Sequence, residues 1–180
     1  MSPAGPDRAG AAPVGTPAWI AGLRPVPAGA SSVAAFDLVG VGATGALLRV
    51  AVCHERAWFL LCFLAPDCTG CEVVWDNLAS GQPAVGGRPL RSVAIVRDDV
   101  ARRARVAGLA AKVAPVPVVA SDAAWIDYRV LGYPELVVVD GSRSTVLART
   151  TVFAWEDALA RLEQELAARA GSGALGEASC

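Results

Sequence analysis

Residues 57–75, AWFLLCFLAPDCTGCEVVW, decide the fold. The first half is a continuous apolar run, which suits a central strand buried on both faces. Pro66 stops that strand. Cys68 and Cys71 follow, and Val74, Trp75 and Leu78 recur at helical spacing, which predicts a helix over about 69–79. Two cysteines three residues apart in the first turn of a helix can bring their sulfurs within bonding reach. The helix start also offers unpaired amides and the positive end of the dipole, and both stabilise a thiolate, the reactive form. Cys68, at the edge, is the expected exposed nucleophile. Cys71, one turn inside, is the expected shielded thiol that resolves a mixed disulfide.

A hairpin precedes this segment, and strands alternate with helices after it. Residues 33–39 and 45–53 are apolar around a glycine-rich turn (Gly40, Gly42, Gly45) and read as a hairpin. After the helix, Gly81, Pro83, Gly86 and Gly87 mark a loop, and 91–96 reads as a second buried strand. Asp98 or Asp99 can cap a helix to about 112, with Val106, Leu109 and Val113 on one face. A short strand is expected over 116–120, then a short helix capped by Ser121 that carries Trp125 and Tyr128. Residues 135–139 and 145–150 form a hairpin about the turn signal Asp140-Gly141. Trp155, Leu159, Leu162 and Leu166 define an amphipathic helix ending near Gly171. This order predicts an α/β sandwich around a mixed sheet, with the N-terminal hairpin added to it.

The motif and its context point to a family. FLAPDCTGCEVVW, followed some sixty residues later by LGYPELVVVDG, resembles the thioredoxin superfamily, and it is most similar to the bacterial thiol–disulfide oxidoreductases of cytochrome and amine-dehydrogenase maturation. The resemblance covers about residues 33–170. It implies a thioredoxin-like α/β/α fold and disulfide exchange with protein substrates through Cys68 and Cys71, with no bound cofactor and an external electron donor. It also implies that Pro134 is a cis-proline beside the sulfurs. Tyr133 and Pro134, with Thr69 and Gly70 between the cysteines, would then face the substrate. The sequence departs from the family's best-known members at several points. No Trp precedes the first cysteine, and no Pro lies between the two. Cys62 stands where a buried carboxylate often assists the resolving thiol. Asp67 adjoins the nucleophile, where its charge opposes thiolate formation.

The same residues admit other readings. Half a zinc site has the same Cys-x-x-Cys spacing, and Cys53 with His54 could complete one, although adjacent ligands rarely both reach one metal. A redox-inactive binding module on the same fold, holding a partner or a metal through these cysteines, is the principal alternative. A peroxidase relative is the weakest, because the Pro and Thr spacing that activates a peroxidatic cysteine is missing before Cys68. Cys62 reads as a small core residue and His54 as a strand-end surface residue. Cys180 is expected to be incidental. Trp75, Trp125 and Trp155 read as packing residues. Arg102, Arg103 and Arg105 read as a solvated helix face.

Composition limits the partners. The 180 residues carry a net charge of -1, which gives no argument for nucleic acid or an anionic membrane as partner. Hydrophobic residues make up 54% of the chain, enough for a sizeable core, with one domain expected over 31–170. Residues 1–30 hold half of the 12 prolines and read as a flexible arm, with Trp19 and Ile20 as its contacts to the body, and 171–180 reads as a disordered tail. Neither a secretory signal nor a membrane-length apolar run is visible, so a cytoplasmic location is expected. Five cysteines at irregular spacing do not form a secreted disulfide framework.

Overall fold

In the computed structural model, which describes residues 33–174, the apolar run becomes β3 (Trp58–Phe63) at the centre of the sheet. Every residue from Phe59 to Phe63 is buried. β3 pairs in parallel with β5 (Arg88–Val96) and antiparallel with β7 (Glu135–Asp140). The strand order is β2-β1-β6-β5-β3-β7-β8, where β1 is Leu38–Gly42, β2 Leu47–Val50, β6 Val118–Ala120 and β8 Thr145–Thr151. Among neighbouring strands only β3–β5 and β5–β6 pair in parallel and the rest pair antiparallel, so the sheet is mixed.

Both faces of the sheet are covered. On one, Leu60, Cys62 and Leu64 of the β3 segment pack with Val74, Trp75 and Leu78 of α1 (Thr69–Ser80), Val106 of α2 (Arg103–Lys112), and Trp155, Ala158 and Leu162 of α4 (Trp155–Ala174). On the other, Phe59, Leu61 and Phe63 meet Ala124, Trp125 and Tyr128, in and just after α3 (Asp122–Asp127). The alternation along β3 therefore feeds two separate cores, which is why its sequence is apolar at consecutive positions.

The expected elements are present, with four adjustments. The first strand begins at Leu38, not at residue 33, because residues 33–35 lie against the start of β8. Ala34 bridges Thr145, and the Ala35 amide donates to the Ser144 carbonyl at 2.8 Å. The glycine-rich loop after α1 contains a two-residue strand, β4 (Ala84–Val85), folded onto Arg88 and Pro89 by Gly86 and Gly87. Both glycines have positive φ (58° and 74°), the backbone of a tight hairpin turn. The helix expected after Asp99 opens as a 3-10 turn, Val100–Arg102, before α2; the Asp99 side chain accepts from the Ala101 amide. The last helix continues to Ala174, past the expected stop at Gly171. Ser121 caps α3 as expected, accepting from the Ala124 amide. At Gly40 an added Cβ would lie 2.2 Å from the Ala120 carbonyl oxygen, so only glycine lets β1 approach β6 this closely. The expected N-terminal arm with Trp19 and Ile20, most of the expected tail and Cys180 lie outside the described residues.

The hairpin is tied back to the sheet by two polar networks. Asp37 accepts from the amides of Val52 and Cys53, both at 2.9 Å, and from Arg49 at 2.8 Å. The Arg49 hydrogen bond, followed by the Cys53 and Val52 amides, holds its carboxyl down at about 2. The Tyr128 hydroxyl donates to the Phe36 carbonyl at 2.7 Å and accepts from the Phe36 amide at 3.0 Å. Burial pushes that phenol well above its ordinary range.

Candidate functional site

β3 and β5 are parallel and in register, Phe63 opposite Ile95, so the segments that follow them emerge at the same edge of the sheet. The turn after β3 is short. The Cys68 amide donates to the Ala65 carbonyl at 3.4 Å, and α1 starts at Thr69 with Cys68 as its N-cap residue in extended conformation. No side chain caps this helix start. The Cys71 amide donates to the Cys68 carbonyl at 3.0 Å, which closes the first turn.

The two thiols differ as the spacing predicts. Cys68 is half-buried, whereas Cys71 is fully buried on the inner face of α1. The Cys71 Sγ accepts from the Ala65 amide at 3.4 Å. Burial pushes the Cys71 thiol up to about 12; the Ala65 amide lowers it somewhat, and the Cys68 thiol, within hydrogen-bonding reach, raises it again. Both cysteines are free thiols here. A buried thiol with that preference stays protonated until something removes its proton, which suits the second step of an exchange and not the first.

Pro134 comes to the same place from the far side of β3. The Tyr133–Pro134 peptide bond is cis, and Pro134 is buried. A Cβ built on Gly70 would lie 3.6 Å from Pro134 Cδ and 3.7 Å from Cys68 Sγ, so Gly70 sits between the proline ring and the sulfur. Thr69 and Gly70 are exposed beside them. Tyr133 is 53% exposed and meets Trp125 edge to face at 6.1 Å. Sequence positions 68–71 and 133–134 thus form one surface.

The other cysteines do not join it. Cys53 packs against the opposite core and donates to the Ala35 carbonyl at 3.2 Å; His54 is exposed. Among the described residues no group of three or more His, Cys, Asp or Glu side chains is placed to hold a metal ion. Cys62 is fully buried in the α1 face of the core, where desolvation alone pushes its thiol up.

Sequence reasoning missed the arginines. Arg102 Nε lies 2.9 Å and Arg105 Nε 3.2 Å from the Asp67 carboxylate, and Arg105 Nε also donates to the Pro66 carbonyl at 2.7 Å. They are a clamp on the turn before Cys68, not merely a solvated face; Arg103 does face Asp98, at 3.5 Å. The signal for this clamp was the parallel pairing of two strands thirty residues apart, which no local pattern of charges contains.

The sheet order, the cysteines at a helix start after a central strand, and the cis-proline opposite them decide the architecture. The fold is thioredoxin-like. No protein-family model and no curated protein matches this thioredoxin-like chain by sequence. Solved structures do match it. The pneumococcal exposed lipoprotein thioredoxin Etrx1 from Streptococcus pneumoniae is 18% identical, with a TM-score of 0.56 over 73% of this chain and 100% of that one. The thioredoxin domain of the thiol-disulfide oxidoreductase BVU-2223 from Bacteroides vulgatus is 14% identical, with a TM-score of 0.56 over 76% and 98%. A secreted Mycobacterium tuberculosis disulfide oxidoreductase homologous to DsbE is 18% identical, with a TM-score of 0.51 over 73% and 95%. Among the described residues, no helix of this thioredoxin-like chain is long and apolar enough to cross a membrane.

Proposed function

We propose that the chain is a thiol–disulfide oxidoreductase that exchanges disulfides with protein substrates through Cys68 and Cys71. One observation carries this reading: a half-exposed thiol at an uncapped helix start, a buried thiol one turn inside, and Pro134 against the Gly70 that separates them. The Cys68 thiolate attacks one sulfur of a substrate disulfide. That S–S bond breaks, one substrate sulfur leaves as a thiolate, and a mixed disulfide forms. Cys71 then loses its proton and attacks Cys68 Sγ. The second substrate thiolate departs, leaving a Cys68–Cys71 disulfide; the substrate has gained two electrons and the protein has lost two. The reverse sequence oxidises a substrate dithiol.

A protein substrate suits the surface. Leu131, Tyr133 and Phe153 are large, apolar and exposed, and they flank Pro134 in sequence or through the Val152 amide, which donates to the Pro134 carbonyl at 3.1 Å. Two cavities of about 530 and 480 Å³ are lined by residues such as Trp58, Arg88, Ser92 and Pro115, and neither reaches 65–71 or Pro134. Exposed apolar side chains flanking Pro134, with neither of these two cavities at the cysteines, suit an extended polypeptide better than an enclosed small molecule.

The test is dithiothreitol-driven insulin reduction by the intact protein. Cys68→Ser and Cys71→Ser are each expected to cut turnover at least about 100-fold, with Cys71→Ser still accumulating mixed disulfides. Wild-type turnover in either variant overturns the proposal.

A further inference from the structure

Asp67 stands next to the nucleophile, and its carboxylate is not bare. Arg102 closes the 3-10 turn and Arg105 lies three residues on, so both guanidiniums project from one side of the segment after β5. They reach the carboxylate at 2.9 and 3.2 Å. Asp99 shares Arg102 at 3.4 Å, and its side chain caps the turn that presents Arg102. The other charges nearby are Asp98, paired to Arg103, and Glu72 in the first turn of α1; further along, Lys112 holds Asp76 between the same two helices. Cys71 and the Tyr133 phenol complete the titratable groups around the cysteine turn.

We propose that Arg102 and Arg105 are positioning residues that set the reactivity of Cys68 by neutralising Asp67. A free carboxylate one residue from the sulfur repels the thiolate. Two guanidiniums on its oxygens cancel that field while leaving the sulfur exposed to substrate. The proposal rests on the reading of Cys68 as the attacking thiol. Its physical content is a charge effect transmitted through one carboxylate, so removing the carboxylate must undo the loss of the arginines. A purely mechanical role, the Arg105 bond to the Pro66 carbonyl, would not be undone in that way.

The experiment measures the pH dependence of Cys68 alkylation by iodoacetamide in the reduced full chain, resolved by peptide mass spectrometry. Arg102→Ala with Arg105→Ala is expected to raise the midpoint by about half to one pH unit and to slow alkylation at pH 7 about three- to tenfold. Adding Asp67→Asn to that pair is expected to restore the midpoint to within about 0.2 unit of the wild type. Arg102→Lys with Arg105→Lys keeps the charge and is expected to leave the midpoint nearly unchanged. An unmoved midpoint in the double alanine variant overturns the proposal, as does a shift that Asp67→Asn fails to reverse. Insulin reduction is read in parallel. A chain without turnover whose midpoint still moves refutes the oxidoreductase reading and not the clamp; an active chain whose midpoint stays fixed refutes the clamp alone.

Discussion

Asp37 and Asp67 lie thirty residues apart, one just before β1 and one in the turn before α1, each engaged by arginine, yet they are held in different ways. Asp37 takes two backbone amides as well as Arg49, so its carboxylate joins the hairpin to the chain that enters β3. Asp67 is held by guanidiniums alone, on exposed side chains. A carboxylate bonded to backbone fixes a shape, because its loss leaves main-chain donors unpaired. A carboxylate bonded only to flexible side chains fixes little and instead adjusts the charge of its neighbourhood. The hairpin end of the molecule uses its aspartate for structure. In the proposal above, the cysteine end uses its own to adjust the charge beside Cys68, on a turn that Ala65, Pro66 and the helix start already define.

The largest effect should come from Asp37→Ala, with a loss of about 2 kcal/mol in urea unfolding and no change in the Cys68 alkylation rate. A variant as stable as the wild type would remove the distinction between the two aspartates. The pH dependence carries the same sign. Because the folded carboxyl is held near 2, below its ordinary 3.8, its stabilisation is complete above about 4 and disappears as pH falls toward 2; Asp37→Asn should flatten that part of the acid profile.

Cys71 sharpens the comparison, since it resembles Asp37 in taking a backbone amide while sitting in the cysteine turn. Its folded thiol ionises near 12 and an unfolded one near 9. Above pH 9 the unfolded chain therefore binds fewer protons than the native one, and stability falls as pH rises toward 12. Cys71→Ala should reduce the slope of stability against pH in that window by up to about 1.4 kcal/mol per pH unit. An unchanged slope would mean that the buried thiol contributes nothing to alkaline unfolding. The smallest effect belongs to Asp67→Asn: unfolding within about 0.5 kcal/mol of wild type, with the alkylation midpoint lowered by a few tenths of a unit at most. A large destabilisation would make Asp67 a structural staple like Asp37.

Much of the architecture was legible because its signals are local. The unbroken apolar run of β3, the Pro66 stop, the helical spacing of Val74, Trp75 and Leu78, and Ser121 as a cap are each contained within a dozen residues, and each is found as expected. The departures come where distant pairing overrides local pattern. Residues 33–35 are apolar enough for the hairpin, but the start of β8 takes them. The Gly86-Gly87 turn makes a strand of two residues, too short to show a period.

At the site, sequence by itself determined the pair of sulfurs and their unequal exposure, because a three-residue spacing across a helix start places one thiol at the rim and the other beneath it. Pro134 beside them was implied only by the family resemblance and not by any local pattern, and the arginines were not implied at all; tertiary structure brings both there. Antiparallel pairing of β7 with β3 carries Pro134 to Gly70, and parallel pairing of β5 with β3 carries Arg102 and Arg105 to Asp67. Hydrogen-bonded strands bring together segments that are far apart in the chain, and the charges and ring that meet at their ends have no common pattern in sequence.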